Sequence, residues 1–127
     1  MAKAKPQTKA KTKKKHPKRG DIWWVNLEPV KGHEQGGKRP CLIVSVNEFN
    51  RIPHGLVWAL PITSNIRFKH AFTIAAQRGD GGLKLDSMVL CHQLRTISTD
   101  RLILRAGTLP IALFTEVQKR LALVLGF

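Results

Sequence analysis

The final stretch of the chain is where apolar residues recur at helical spacing. Phe114, Val117, Leu121 and Val124 fall on one side, with Glu116, Lys119 and Arg120 on the other. Pro110 suits a first turn, where a missing N–H is harmless, and Gly126 suits the stop. Upstream, the pattern is one of short β-branched and aromatic runs bounded by glycine, proline and asparagine. Asp21 to Leu27 reads as a first strand, and Glu28 to Lys38 as a long loop holding Pro29, Gly32, Gly36 and Gly37. Pro40 to Val46 reads as a second strand, 47 to 55 as another loop, and Leu56 to Ile62 as a third strand, in which Pro61 implies an edge or a bulge. Phe72 to Ala75 gives a fourth strand, Gly79 to Gly82 a turn, Ser87 to Thr96 a long fifth strand, and Arg101 to Leu104 a sixth. Several short strands followed by one helix predict a mainly β domain with a C-terminal helix, built as a small, strongly bent sheet or barrel. Trp23 and Trp24 are adjacent and must point to opposite faces, one into the core and the other toward a loop, the helix or a second subunit.

Charge divides the chain. Residues 1 to 19 carry eight lysines and Arg19 without a single acid, so nine of the 22 basic residues lie there. A segment of that composition cannot bury enough surface to offset its ordering entropy, and a disordered basic tail over 1–18 is expected, ahead of one domain over 19–127. The remainder keeps 13 basic residues against eight acids, and the tail lifts the formal charge to +14. That balance favours polyanions by counterion release, although a tail of this kind also serves solubility alone. No run approaches the ~18 apolar residues of a membrane span, and the basic start leads into no apolar signal core. A cytoplasmic protein without membrane contact is expected. Cys41 and Cys91 each sit in an apolar run and read as reduced, buried thiols; no metal-ligand spacing appears, and no cofactor is expected.

Three segments could carry chemistry. In Gly32-His33-Glu34-Gln35-Gly36-Gly37-Lys38-Arg39-Pro40, a glycine-rich loop feeds Arg39 onto a strand. Its guanidinium would suit a phosphate, and His33 offers an imidazole that can take or give a proton. An ordinary solvated loop is the plainer reading. Thr63-Ser64-Asn65, at a strand end, offers hydroxyl and amide donors for phosphate or ribose, or simply a common turn. In Leu90-Cys91-His92-Gln93-Leu94-Arg95, strand alternation would put His92 with the two leucines and Gln93 with Arg95. His92 there is either structural or part of a site. Eight acids argue against a carboxylate-rich two-metal nuclease site, so cleavage of nucleic acid would point to RNA, whose 2′-OH is its own nucleophile.

Taken in order, Arg19-Gly20-Asp21-Ile22-Trp23, Leu27-Glu28-Pro29, the Gly32–Pro40 block, Phe49-Asn50-Arg51, Leu60-Pro61-Ile62-Thr63-Ser64 and His92-Gln93-Leu94-Arg95-Thr96-Ile97 resemble the MazF/PemK toxins of type II toxin–antitoxin systems. The resemblance runs over residues 19 to 127. It implies an SH3-like barrel of the CcdB/PemK kind, acting as a homodimer that cuts single-stranded RNA. It also implies a cognate antitoxin whose acidic, flexible segment covers the RNA groove. Arg39 matches the arginine at the scissile phosphate, Thr63 the active-site threonine, and His33 the loop histidine that helps PemK-like members bind or cut RNA. With His92 as a further proton carrier, these are the catalytic candidates; Glu34, Gln35, Lys38, Ser64, Asn65, Gln93 and Arg95 are the RNA-binding ones. One departure stands out, since PemK-like members carry Arg and Asp where this chain has Leu90 and His92. The alternatives are a gyrase poison of the same superfamily without nuclease activity, and an RNA-binding barrel whose site has decayed. If the lysine tail adds to RNA affinity, deletion of residues 1–18 should flatten the salt dependence of RNA binding, which a filter-binding titration at several ionic strengths would read.

Overall fold

The sequence from Asp21 is dense in branched and aromatic side chains, and it forms β1 (Asp21–Asn26), whose pleat sorts those side chains between two cores. Ile22 joins one apolar cluster, while Trp23 and Val25 join another; Trp24, on the opposite face from Trp23, is half-buried. The structure, a computed structural model, describes residues 15–34 and 36–127. Most of the basic tail and Gln35 therefore lie outside the described residues.

After β1 come β2 (Lys38–Ile43), the one-turn helix α1 (Asn47–Asn50), β3 (Leu56–Thr63), β4 (Thr73–Ala76), β5 (Ser87–Leu90), β6 (Arg95–Ser98), β7 (Leu102–Thr108) and helix α2 (Ile111–Leu125). All pairings are antiparallel. One path runs β6-β3-β2-β1-β7. Its end strands, β6 and β7, are separated in sequence only by the tight turn Thr99–Arg101. A five-stranded sheet whose end strands are joined so closely must curl until those ends approach, and the curl encloses Val25, Leu27, Cys41, Ile43, Val57, Ala59, Ile97 and Leu102. β3 runs on past β6 to pair with β5, which pairs with β4. The chain is mainly β with a C-terminal helix, as its patterning predicts.

Two expectations are corrected here. Pro61 lies in the interior of the sheet, not on an edge. β3 bonds β6 through Leu56–Ala59 and β5 through Ile62 and Thr63. Pro61 falls at this change of partner, where its missing N–H interrupts no ladder on that side. The long fifth strand is in fact two strands. At Leu90 the backbone turns to φ −93°, ψ 84°, and Cys91–Gln93 winds one 3₁₀ turn before β6. Residues three apart then share a side, so Cys91 and Leu94 both face the helix-side core while His92 is exposed. The alternation expected for Leu90, His92 and Leu94 is lost. The loop from 47 to 55 also contains α1, and the last strand extends to Thr108.

α2 packs Phe114 and Val117 fully into the second core, with Leu113 and Leu121 partly buried; the apolar row ends there, since Val124 is exposed. Gly126 takes φ +81° and closes the helix. Among the described residues, no helix is long and apolar enough to cross a membrane.

The turn Asp80–Gly82 is pressed against the backbone of β7. A Cβ on Gly107 would lie 2.5 Å from the carbonyl oxygen of Gly81, and one on Gly82 would lie 2.2 Å from that of Ala106. Because backbone meets backbone, no side-chain rotation relieves the clash. Gly107→Ala should therefore cost about 1–3 kcal/mol, seen as a lowered urea midpoint with the slope unchanged.

Candidate functional site

β2 and β3 pair at Cys41↔Pro61, Leu42↔Leu60 and Ile43↔Ala59. Carrying that register two residues further sets Arg39 across from Thr63, on the face that also holds Cys41. Burial pushes the Cys41 thiol up to about 12, while the guanidinium charges of Arg39 and Arg95 pull it the other way. Both arginines therefore stand near the same buried strand centre, Arg95 of β6 through its pairing with Ala59 of β3. The Cys91 thiol is likewise raised to about 12 by burial, opposed by Arg120. Neither thiol is a nucleophile at neutral pH.

Arg39 is held at its base and free at its tip. Its Nε–H donates to the carbonyl of Gly36 at 2.7 Å, which leaves the terminal N–H groups for an anion. The ion pairs among the described residues are Arg105–Asp21 and Lys119–Glu116, so Arg39 is in neither. The glycine loop is itself built. Leu27 N–H donates to the Gly37 carbonyl, Gly37 N–H to the Glu28 carboxylate, and Lys31 N–H to the Glu34 carboxylate at 2.6 Å. A Cβ on Gly36 would lie 2.5 Å from the Glu28 carboxylate, which would have to shift to admit it. Glu34 thus shapes its own turn, and His33 stands exposed within it.

Thr63 is 5% exposed, and its Oγ1 accepts the Asn65 N–H at 3.1 Å; Asn65 Oδ1 in turn accepts from Arg67 N–H. The segment is the turn its composition suggests. Accepting that bond leaves the Thr63 hydroxyl proton to donate elsewhere. Ser64, exposed, lines a cavity of about 190 Å³ with Trp24, Lys38, Arg39, Pro40 and Lys84. The structure therefore gathers Lys38, Arg39 and Ser64 at one end of the strands, with Thr63 behind them. The adjacent tryptophans predict that one of them faces outward, and the structure makes it Trp24. Lys84 carried no signal, since only the packing of the turn after β4 brings it there.

His92 does not line that cavity. Its ring lies 4.6 Å from that of His70, whose own ring stands edge-on to Phe72, and Nε2 meets Gln93 Nε2 at 3.4 Å. Leu90, where PemK-like members have Arg, is fully buried and serves the core. Among the described residues no three His, Cys, Asp or Glu side chains cluster as metal ligands would.

The chain matches the family model described as PemK-like, MazF-like toxin of type II toxin–antitoxin systems, over residues 18–125. It is 37% identical over 114 residues to the endoribonuclease PemK of Escherichia coli, covering 89% of this chain and 85% of that protein. In fold it is similar to the crystal structure of MazF from Deinococcus radiodurans, with TM-score 0.76 and 30% identity over 90% of this chain and all of that one. It is also similar to an endoribonuclease in complex with its cognate antitoxin from a mycobacterial species, with TM-score 0.69 and 26% identity over 88% and 95% of the two chains.

Partial burial and then the neighbouring His70 hold His92 below its ordinary value of 6.5. A charged His70 disfavours a second charge beside it, so His92 stays neutral to lower pH than a free imidazole. His70→Ala should raise the His92 midpoint, followed by NMR of the ring protons; an unchanged midpoint would remove the coupling.

Proposed function

Because this chain belongs to the family of PemK-like, MazF-like toxins of type II toxin–antitoxin systems, we propose that it is a sequence-specific, metal-independent endoribonuclease acting on single-stranded RNA in the cytoplasm. The observation that carries this reading is Arg39, fixed through Nε beside the register position of Thr63 and without an acidic partner among the described ion pairs. A rigidly based, unpaired guanidinium at a strand end is what a phosphate in an otherwise featureless RNA backbone requires.

In the reaction, the ribose 2′-oxygen attacks the adjacent phosphorus while its proton passes to a base. The bond from phosphorus to the 5′-oxygen breaks, and that oxygen takes a proton. The products are a 2′,3′-cyclic phosphate and a 5′-hydroxyl, with water absent from the step. Arg39 stabilises the negative charge that grows on the phosphorane, an effect worth about 10²–10³ in rate for a preorganised donor. Thr63 orients the phosphate or the 2′-OH, and His33 or His92 carries the proton. Lys38, Ser64, Asn65, Gln93 and Arg95, with Glu34 and Gln35 in the loop, contact the rest of the RNA. Glu34 acts there through the shape it gives the loop.

Two partners follow. α2 leaves Ile111, Leu123 and Leu125 exposed beyond the buried Phe114 and Val117. A helix of that kind calls for a second cover, and we assign it to another copy of this chain in a homodimer. The antitoxin binds by laying an acidic, flexible segment along the basic RNA groove, as charge complementarity favours.

With EDTA present, purified protein free of antitoxin should cut a long single-stranded RNA at discrete positions, leaving cyclic phosphate ends. Arg39→Ala should slow this by about 10²–10³. A folded Arg39→Ala protein cutting at the parent rate would remove the assignment. The rate should also change across pH 5 to 8; a flat profile would exclude both histidines as proton carriers.

A further inference from the structure

A broad hollow lies in the described surface at the opposite end of the strands from Arg39. It holds about 860 Å³ between the entering segment at 15–18, the α1 loop and the turn after β6. Lys15, His16, Lys18 and Arg51 line it, with Asn47 among its amides and Asp100 as its acid. Its wall is fixed by bonds to the fold. Arg19 N–H donates to Asn47 Oδ1 at 2.8 Å, Lys18 N–H donates to the buried Asp21 carboxylate at 2.9 Å, and the Lys15 ammonium donates to the Leu102 carbonyl. Pro17 is buried between them. Lys15 and His16 precede the residues matched by the family model.

We propose that this groove is a second RNA site, which grips the phosphate backbone of single-stranded RNA away from the scissile bond. The proposal rests on the reading of RNA as the substrate. Three observations converge on a nucleic acid strand. The groove is cationic. The segment that enters it continues upstream into six more lysines and no acid within residues 1–14. The same loop carries an aromatic surface, with Phe49 4.8 Å from His54 and 6.4 Å from Trp58, whose indole is 42% exposed. A positive groove beside exposed aromatic rings is the recurrent means of holding unpaired nucleotides, whereas an acidic peptide has no use for the rings. The consequence is that RNA long enough to reach both ends of the barrel binds more tightly than a short strand spanning only the cut.

The test measures binding of a long 2′-O-methyl oligoribonucleotide, which lacks the attacking hydroxyl, across a range of salt. It uses the full chain, the Lys18→Ala/Arg51→Ala variant and the Lys18→Arg/Arg51→Lys variant. Both side chains are exposed at their positions, so their loss spares the core. Loss of two phosphate contacts should reduce the slope of log affinity against log salt by about 1.4, given ~0.7 per contact for single strands. The charge-conserving variant should restore it. Parent-like affinity and slope in the alanine variant would overturn the proposal, as would a loss confined to a poly-glutamate peptide with RNA binding intact. A parent that binds this oligonucleotide through the groove but cuts no RNA leaves the groove standing and removes the nuclease reading. Arg39-dependent cutting with no effect of the alanine variant does the reverse, and a parent that binds no RNA sinks both.

Discussion

β3 belongs to two sheets, and the rest of the molecule is arranged around that one strand. Its first half closes the curled sheet through β6, and its second half carries β5 and β4 away beneath the helix. A strand with partners on both sides along its whole length could not tolerate Pro61; a strand that changes partner at that residue can. The change divides the interior into two apolar clusters, one inside the curl and one under α2. It also fixes the end of β3 where Thr63 turns away, which places that residue at the rim next to the first residues of β2.

The rim is where a rigid sheet gives way to loops, and the arginine exploits both. Its backbone is held by pairing with Val25, while its side chain reaches beyond the ladder to Gly36. Gly32 and Gly37 of the loop are favoured by their positive φ, while a side chain at Gly36 would crowd Glu28. A site with so few buried charges depends on position more than on perturbed acidity. The shifted groups of the molecule are two inert thiols and His92, lowered first by partial burial and then by His70.

Positive charge is spread over the molecule in a way that suits a long polyanion better than a small ligand. One basic region stands at the Arg39 rim, another at the far end where the lysine-rich segment enters, and the strands separate them. Counterion release from each adds to affinity without adding specificity. Discrimination among RNA sequences would fall to the contacts around the rim.

The terminal helix, the short strands and the glycine loop could be read directly, because each rests on local rules: a 3.6-residue period, β-branched runs, and turn residues at fixed places. The motif around Arg39 and Thr63 was equally plain, since residue types in order survive without knowledge of the fold. Other features needed the third dimension. A break inside an apolar run from Ser87 to Thr96 leaves no mark in composition; the 3₁₀ turn there exists because β5 and β6 must pair with different stretches of β3. The same turn moved His92 off its expected face and beside His70, a residue that carried no signal in the sequence. Lys84 beside Arg39 and the groove beneath α1 are likewise products of chain segments far apart in sequence. The sequence by itself determined most of the elements and the order of the candidate site residues, since both are set by neighbours along the chain. Which of those residues meet was decided by the strand that two sheets share.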